Sequence, residues 1–280
     1  MDIKNEVRQE GNIRYHIITD NIWHIEDENN VFCTLVIGKN KAILFDTGFG
    51  NIGIKPFVER HISTELMVIN SHGHPDHIGG NDAFETIYAS SKEMDLLFFN
   101  WSNFKKTQVE FMMRDIEPGV YIDLGDEKAE VVSLSGHSAG SIGLLLHNSG
   151  ILLAADALNE NLWLFNPGTM NIATWRKNVK NVFGKEFTYY LTGHSSKLYS
   201  KSRIKDILSV SEEIDVNKSR MVNILGQDVL LYEDNEKGVS ITYDERVLAE
   251  ESILVIPAIS AEKKQEEKSE KKGFLRKLFK

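Results

Sequence analysis

Residues His72-Gly73-His74-Pro75-Asp76-His77 put three imidazoles and a carboxylate within six positions, directly after the apolar run Leu66-Met67-Val68-Ile69-Asn70. That run reads as a buried strand, so the loop leaves the end of a strand. Pro75 stiffens it and Gly79-Gly80 closes it. Each neutral imidazole offers one lone pair and each carboxylate adds charge, so this density of donors points to a divalent cation. A tight turn leaving a strand aims alternate side chains at two neighbouring points: His72 and His74 at one, Asp76 and His77 at the other.

More donors stand in the same local context further along. His137 lies in Ser133-Leu134-Ser135-Gly136-His137-Ser138-Ala139-Gly140, after the strand candidate Ala129 to Leu134. Asp156 ends the run Ile151-Leu152-Leu153-Ala154-Ala155, and His194 follows Tyr189-Tyr190-Leu191-Thr192-Gly193. Each donor comes where a buried strand ends, which is where a sheet positions a side chain and a loop frees it. His16, His24, His61 and His147 lie in or beside expected elements without clustered partners and read as structural.

With these motifs assembled, the chain resembles the metallo-β-lactamase superfamily from about Ile13 to about Tyr199. Asp46-Thr47-Gly48 is similar to that family's first motif, the His-x-His-x-Asp-His loop to its second, and His137, Asp156 and His194 to the remaining three. The resemblance implies an α+β fold, a four-layer αββα sandwich. It implies two Zn2+ per chain, with Fe or Mn as possible substitutes. His72, His74 and His137 would hold one ion, and Asp76, His77 and His194 the other. Asp156 would bridge them together with a water or hydroxide, so Asp76 and Asp156 carry the catalytic expectation. Asp46 would orient the loop from outside, because outer carboxylates fix imidazole tautomers. The implied reaction is hydrolysis of an ester, thioester or lactone by a metal-bridging hydroxide. The alternatives are a small-molecule phosphodiesterase of the same fold, or a non-catalytic metal-binding sensor.

Departures narrow the resemblance to a glyoxalase II-like group. The only cysteine, Cys33, lies far upstream, against relatives with a cysteine ligand. Flavo-di-iron relatives place a glutamate where His74 stands, and nucleic-acid-processing relatives carry an insertion for which this chain has no room. Glyoxalase II itself adds a helical domain, whereas Met221 to Tyr232 and Val239 to Tyr243 read as a C-terminal β-hairpin extension around Asn235-Glu236-Lys237-Gly238. N-acyl lactonases carry a tyrosine three residues after the bridging aspartate, where this chain has Asn159.

We therefore expect a catalytic domain over 1–214, the hairpin extension packed on it over 215–250, and a charged linker with a basic amphipathic tail over 251–280. One cysteine in 280 residues suits a reducing compartment. The charged start Met1 to Glu10 lacks the apolar core of a secretion signal, so a cytoplasmic location is expected. Residues 261–280 hold eight Lys or Arg against four Glu; this net +4 within a total of −9 leaves −13 for the rest. An acidic body argues against a nucleic-acid partner, whose phosphates need a basic surface. The expected partner is a small-molecule substrate, with a homodimer possible. Phe274, Leu275, Leu278 and Phe279 at helical spacing give the tail 272–280 the form of a weak membrane-surface or protein contact.

For the remaining elements we expect strands over Ile13–Ile18, Ile22–Glu26, Val31–Gly38 and Lys41–Phe45, and a helix from Gly53 to about Arg60. Ser91 to Met113 reads as helical in two pieces broken near Asn100 to Ser102. Strands over Val120–Asp123, Ala129–Leu134, Ser141–His147 and Ile151–Ala155 follow, then a helix over Ile172–Phe183, a strand over Phe187–Leu191 and a helix over Arg203–Ile214. The aromatic stretch Leu162, Trp163, Leu164, Phe165 and Met170 reads as a loop beside Asp156 that walls a pocket for an apolar part of the substrate.

Overall fold

A computed structural model describes residues 2–249; the linker and tail expected over 251–280 lie outside the described residues. A meander of five antiparallel strands opens the chain: β1 (Glu6–Glu10), β2 (Ile13–Thr19), β3 (Ile22–Glu26), β4 (Phe32–Ile37) and β5 (Lys41–Phe45). Helix α1 (Ile54–His61) carries the chain over to β6 (Glu65–Ile69), which pairs parallel to β5. After the metal-type loop and the one-turn helix α2 (Pro75–Ile78) come β7 (Thr86–Ala89), α3 (Met94–Phe104) and β8 (Met112–Asp115). These eight strands form one sheet in sequence order.

The second sheet begins with β9 (Tyr121–Asp123), β10 (Lys128–Ser133), β11 (Ile142–Leu146) and β12 (Ile151–Leu153). The chain then leaves it to make β13 (Asn161–Leu164) and α4 (Ile172–Phe183), and returns as β14 (Tyr189–Thr192) and β15 (Ser195–Ser200). Strand β14 inserts parallel to β12, giving the order β15-β14-β12-β11-β10-β9. Helix α5 (Arg203–Glu212) follows, then β16 (Arg220–Ile224), β17 (Gln227–Asp234) and β18 (Val239–Tyr243).

Period-two alternation of apolar residues explains the layering. In β10 to β12, Val131, Leu144, Leu146, Ile151 and Leu153 point inward to meet Val36, Ile43, Phe45 and Ile69 of the first sheet. Val132, Leu145 and Leu152 point outward onto Trp175 and Val179 of α4 and Ile204 and Ile207 of α5. On the far side, Leu35, Ala42 and Leu44 pack outward against Phe57 of α1 and Leu97 and Trp101 of α3. Strands buried on both faces read as continuous apolar runs, as here. Helix, sheet, sheet, helix is the four-layer αββα sandwich.

The structure corrects several expectations. Residues 91–113 are not two helices: α3 is one helix that runs through Asn100 to Ser102, and Met112-Met113 begins the edge strand β8, pairing with β7. The Asn100 side chain does not compete with its own helix because it donates to the Gly73 carbonyl (2.8 Å). Strand β1 and strand β15 were not expected, since both are polar edge strands without an apolar stripe. The stretch 162–165 is not a loop. It is β13, whose Leu162 and Leu164 are wholly buried and which pairs parallel to β18. The hairpin around residues 235–238 is β17 and β18. Its first arm folds once more at Leu225-Gly226 to give β16, so with β13 a third, four-stranded sheet forms in the order β13-β18-β17-β16. Val239, Ile241 and Tyr243 of β18 share the outer core with Trp175.

Trp175 is wholly buried there, and its indole N–H donates to the Ala157 carbonyl (2.8 Å). Trp175→Ala removes a large side chain and leaves that carbonyl unpaired. It should cost about 3–5 kcal/mol, read as a lower urea midpoint; a loss below about 1 kcal/mol would contradict this packing.

Candidate metal centre

Each donor follows a strand whose direction brings it to one rim of the sandwich. Strands β5 and β6 run parallel, so Asp46 after β5 and His72 after β6 leave the same edge. Strands β12 and β14 also run parallel, which brings Asp156 and His194 to the facing edge, and His137 follows β10 in the same sheet. Pro75 sits in the first turn of α2 with His74 as its cap, a position where proline is tolerated because that N–H has no helical partner.

All seven residues expected as donors come together. His72, His74 and His137 form one group of ligand atoms mutually within 4.8 Å, and Asp76, His77 and His194 form another. A third group, His72, His77 and Asp156, lies across them. Asp156 Oδ2 lies 3.0 Å from His194 Nε2 and 3.5 Å from His137 Nε2, so this one carboxylate touches both triads.

Acceptors behind the imidazoles fix which nitrogen looks inward. His77 Nδ1 donates to Asp46 Oδ2 (2.9 Å), leaving Nε2 toward Asp156 Oδ1 (3.3 Å). Ser71 Oγ donates to Asp46 Oδ2 (2.7 Å) and accepts from His72 Nδ1 (2.8 Å), so His72 also turns Nε2 inward. His74 Nε2 donates to the Pro167 carbonyl (3.1 Å) and His137 Nδ1 to the Trp163 carbonyl (2.8 Å). A carbonyl only accepts, so the inner atoms, His74 Nδ1 and His137 Nε2, present lone pairs to one another at 3.0 Å.

That arrangement fits a cation. His72 Nε2, His77 Nε2 and Asp156 Oδ1 are buried without a hydrogen-bond partner. An unpaired buried polar atom such as His72 Nε2 costs roughly 1–3 kcal/mol, whereas His77 Nε2 and Asp156 Oδ1 have only each other at 3.3 Å, and a metal would satisfy all three. The donor chemistry, imidazole nitrogen with carboxylate oxygen, suits Zn2+ and related first-row ions.

Residues 27–194, a span that includes all seven donors, match the family described as the Metallo-beta-lactamase superfamily. The chain belongs to that superfamily. Among curated relatives, a 95-residue stretch is 30% identical to hydroxyacylglutathione hydrolase of Mesorhizobium japonicum, covering 34% of each chain. A 164-residue stretch is 29% identical to a probable metallo-hydrolase of Methanocaldococcus jannaschii, covering 54% of this chain and 68% of that one. The match thus spans only about a third of the hydroxyacylglutathione hydrolase. The metallo-beta-lactamase from Pontibacter korlensis has the same fold, with a TM-score of 0.59 at 16% identity over 72% of this chain and 100% of that one. Among the described residues, no helix is long and apolar enough to cross a membrane.

The two triads of this superfamily member differ electrically. Burial lowers the pKa of His72 well below the ordinary histidine value, lowers that of His137, and brings His74 down to about 4. Burial acts the same way on His77 and His194, but there carboxylates outweigh it. Asp156, Asp76 and Asp46 raise His77 well above the ordinary value, and Asp156 and Asp76 raise His194 to about 10. Reciprocally, burial pushes Asp76 and Asp156 up, but the His77 and His194 imidazoles hold both well below the usual carboxylate range.

Several supporting residues escape a reading of the sequence. Ser71 and the carbonyls of Trp163 and Pro167 orient imidazoles through contacts that have no composition signal. Gly193 is required for space: a Cβ there would lie 2.3 Å from Asp156 Oδ1 and 2.8 Å from His77 Cε1. Glu93 is buried, its pKa raised by burial against hydrogen bonds from Ser138, Gly140 and Gly73. Asp46 sits at a φ of 67°, a left-handed conformation that aspartate tolerates better than most residues. The four remaining histidines are outside the donor groups: His24 meets Thr34 and the Ser195 carbonyl, His16 lies near Glu26, His61 bonds Glu10 and His147 bonds Glu130.

The sign of the pH dependence follows. Without metal, His77 and His194 are cationic at neutral pH, and each must lose its proton to become a ligand. Saturating the metal-free protein with Zn2+ at pH 7 should therefore release at least about two protons, with any ionisation of metal-bound water adding to them, measured by calorimetry in buffers of different ionisation enthalpy. Affinity at the Asp76, His77, His194 triad should rise with pH above neutrality, as both imidazoles lose their protons. Proton-neutral binding would contradict the assignment.

Proposed function

We propose that this chain is a binuclear metal-dependent hydrolase that cleaves an ester, thioester or lactone of a small molecule. One observation carries the reading: seven donors form two triads that share Asp156, with their outer nitrogens tied back. His72, His74 and His137 would hold one divalent ion, Asp76, His77 and His194 the second, and Asp156 both. Divalent cations there supply Lewis acidity: they polarise a carbonyl or phosphoryl oxygen and bring the pKa of water from 15.7 to about 7 in the best-known zinc case.

The protein's own groups set access and charge. His194 and Asp76 have side chains 34% and 21% exposed, while the Asp156 and His77 side chains are at 9% or less, so substrate approaches on the side of His194 and Asp76. Two side chains of nucleophilic type near the centre are out of reach of substrate. Ser71 pairs with His72 but is enclosed, and its hydroxyl proton goes to Asp46; Cys33 is buried among core residues. The acidic pair Asp76 and Asp156 stays ionised and supplies the negative charge that would hold the cations.

The apolar wall narrows to Trp163 and Met170. Phe165, Leu162 and Leu164 are buried, so of that stretch Trp163 and Met170 remain half-buried, the Trp163 ring 5.1 Å from Phe165. An apolar part of the substrate would rest on Trp163. A cleft of about 270 Å³ beside His194 is instead polar, lined by Arg14, His16, Glu26, Asn30, Phe32, Ser195 and Ser196. That lining favours a second reading, a small-molecule phosphodiesterase, whose charged product arm suits such a cleft.

A panel of p-nitrophenyl esters, thioesters, lactones and bis-p-nitrophenyl phosphate separates the two. Chelation should abolish hydrolysis and added Zn2+ restore it. His137→Ala and Asp156→Ala should each lose metal and at least about 10³-fold in kcat/KM, since metal stabilisation is worth several kcal/mol. A variant that kept full activity without metal would refute the mechanism.

A further inference from the structure

We infer that Glu93 is a positioning residue that sets the spacing of the three-imidazole triad by tying two loops to the start of α3. The inference rests on the reading of His72, His74 and His137 as ligands.

Glu93 closes the turn Ser91–Glu93 that opens α3, and its side chain is wholly buried. Its Oε2 accepts from the Gly73 N–H (2.8 Å). Its Oε1 accepts from Ser138 Oγ (2.7 Å) and the Gly140 N–H (2.5 Å). Gly73 lies between His72 and His74, and Ser138 adjoins His137, so a single carboxylate joins the loops that carry all three imidazoles. Seven residues further along α3, Asn100 Nδ2 donates to the Gly73 carbonyl (2.8 Å). Side chains of one helix thus hold both hydrogen-bonding groups of Gly73.

Close approach supports the same role. A Cβ on Gly73 would lie 2.8 Å from the Leu97 nitrogen, and one on Gly140 would lie 2.9 Å from the Glu93 nitrogen. The Gly73 loop therefore sits directly on the α3 backbone, and the Gly140 loop on Lys92 and Glu93 in the turn that opens it. The Glu93 hydrogen bonds go to Gly73, Ser138 and Gly140 and to none of the seven donors, so its effect on them passes through the loops. An acceptor-only carboxylate satisfies three donors from two loops. A carboxamide cannot, because its NH2 group would face an N–H or a hydroxyl.

The test is Co2+ titration of metal-free full-length protein against a competing chelator, with the visible spectrum followed. Glu93→Gln should weaken Co2+ binding about 10–100-fold, the range for lost outer-sphere partners, and should change the ligand-field absorption while near-UV circular dichroism stays native. Should Glu93→Gln fail to fold, Ser138→Ala removes one of the three bonds and should weaken Co2+ binding several-fold. A folded variant with a lower Tm but wild-type Co2+ affinity and spectrum would reduce Glu93 to a structural residue and overturn the inference. Wild-type protein that takes up no Co2+ would remove the ligand reading first, and the inference with it.

Discussion

Lone pairs turned toward one another inside a buried pocket repel unless a cation lies among them. At the rim of this sandwich His74 Nδ1 and His137 Nε2 face each other at 3.0 Å, with His72 Nε2 buried beside them and unpaired. The rings cannot relieve the contact by flipping, because Pro167, Trp163 and Ser71 engage their outer nitrogens. The protein spends packing and hydrogen bonds on holding an arrangement that is unfavourable without metal. That is the physical content of a preorganised site.

The second triad solves the same problem with charge. Its two imidazoles lie among Asp76, Asp156 and Asp46, so without metal each keeps a proton and is paired with carboxylate. Asp156 connects the two regimes, touching the neutral imidazole of His137 and the charged one of His194. Such a centre is asymmetric before any ion arrives. One half competes with protons for its metal and the other does not.

What the sequence revealed follows from how each feature is encoded. The donors were legible because each follows an apolar run, and runs such as Ile151 to Leu153 are strands buried on both faces. The layers were legible for the same reason. Edge strands were not: β1 and β15 are mostly polar, and backbone pairing with one neighbour defines them. Strand β13 looked like an aromatic loop because its partner, β18, lies nearly eighty residues away. Asn100 looked like a helix break until its side chain found Gly73. The supports of the centre were hidden most completely, since carbonyls of Trp163 and Pro167 could belong to any residue type, and a buried Glu93 resembles a surface glutamate in composition. Of these, only Asp46 carried a signal, through its place after a strand.

Anomalous diffraction from crystals of the purified protein, collected across the absorption edges of zinc, iron and manganese, tests the binuclear reading most directly. Two peaks are expected, one within the His72, His74, His137 triad and one within the Asp76, His77, His194 triad, with Asp156 between them. No peak among these seven side chains, or metal bound only elsewhere on the molecule, would contradict it.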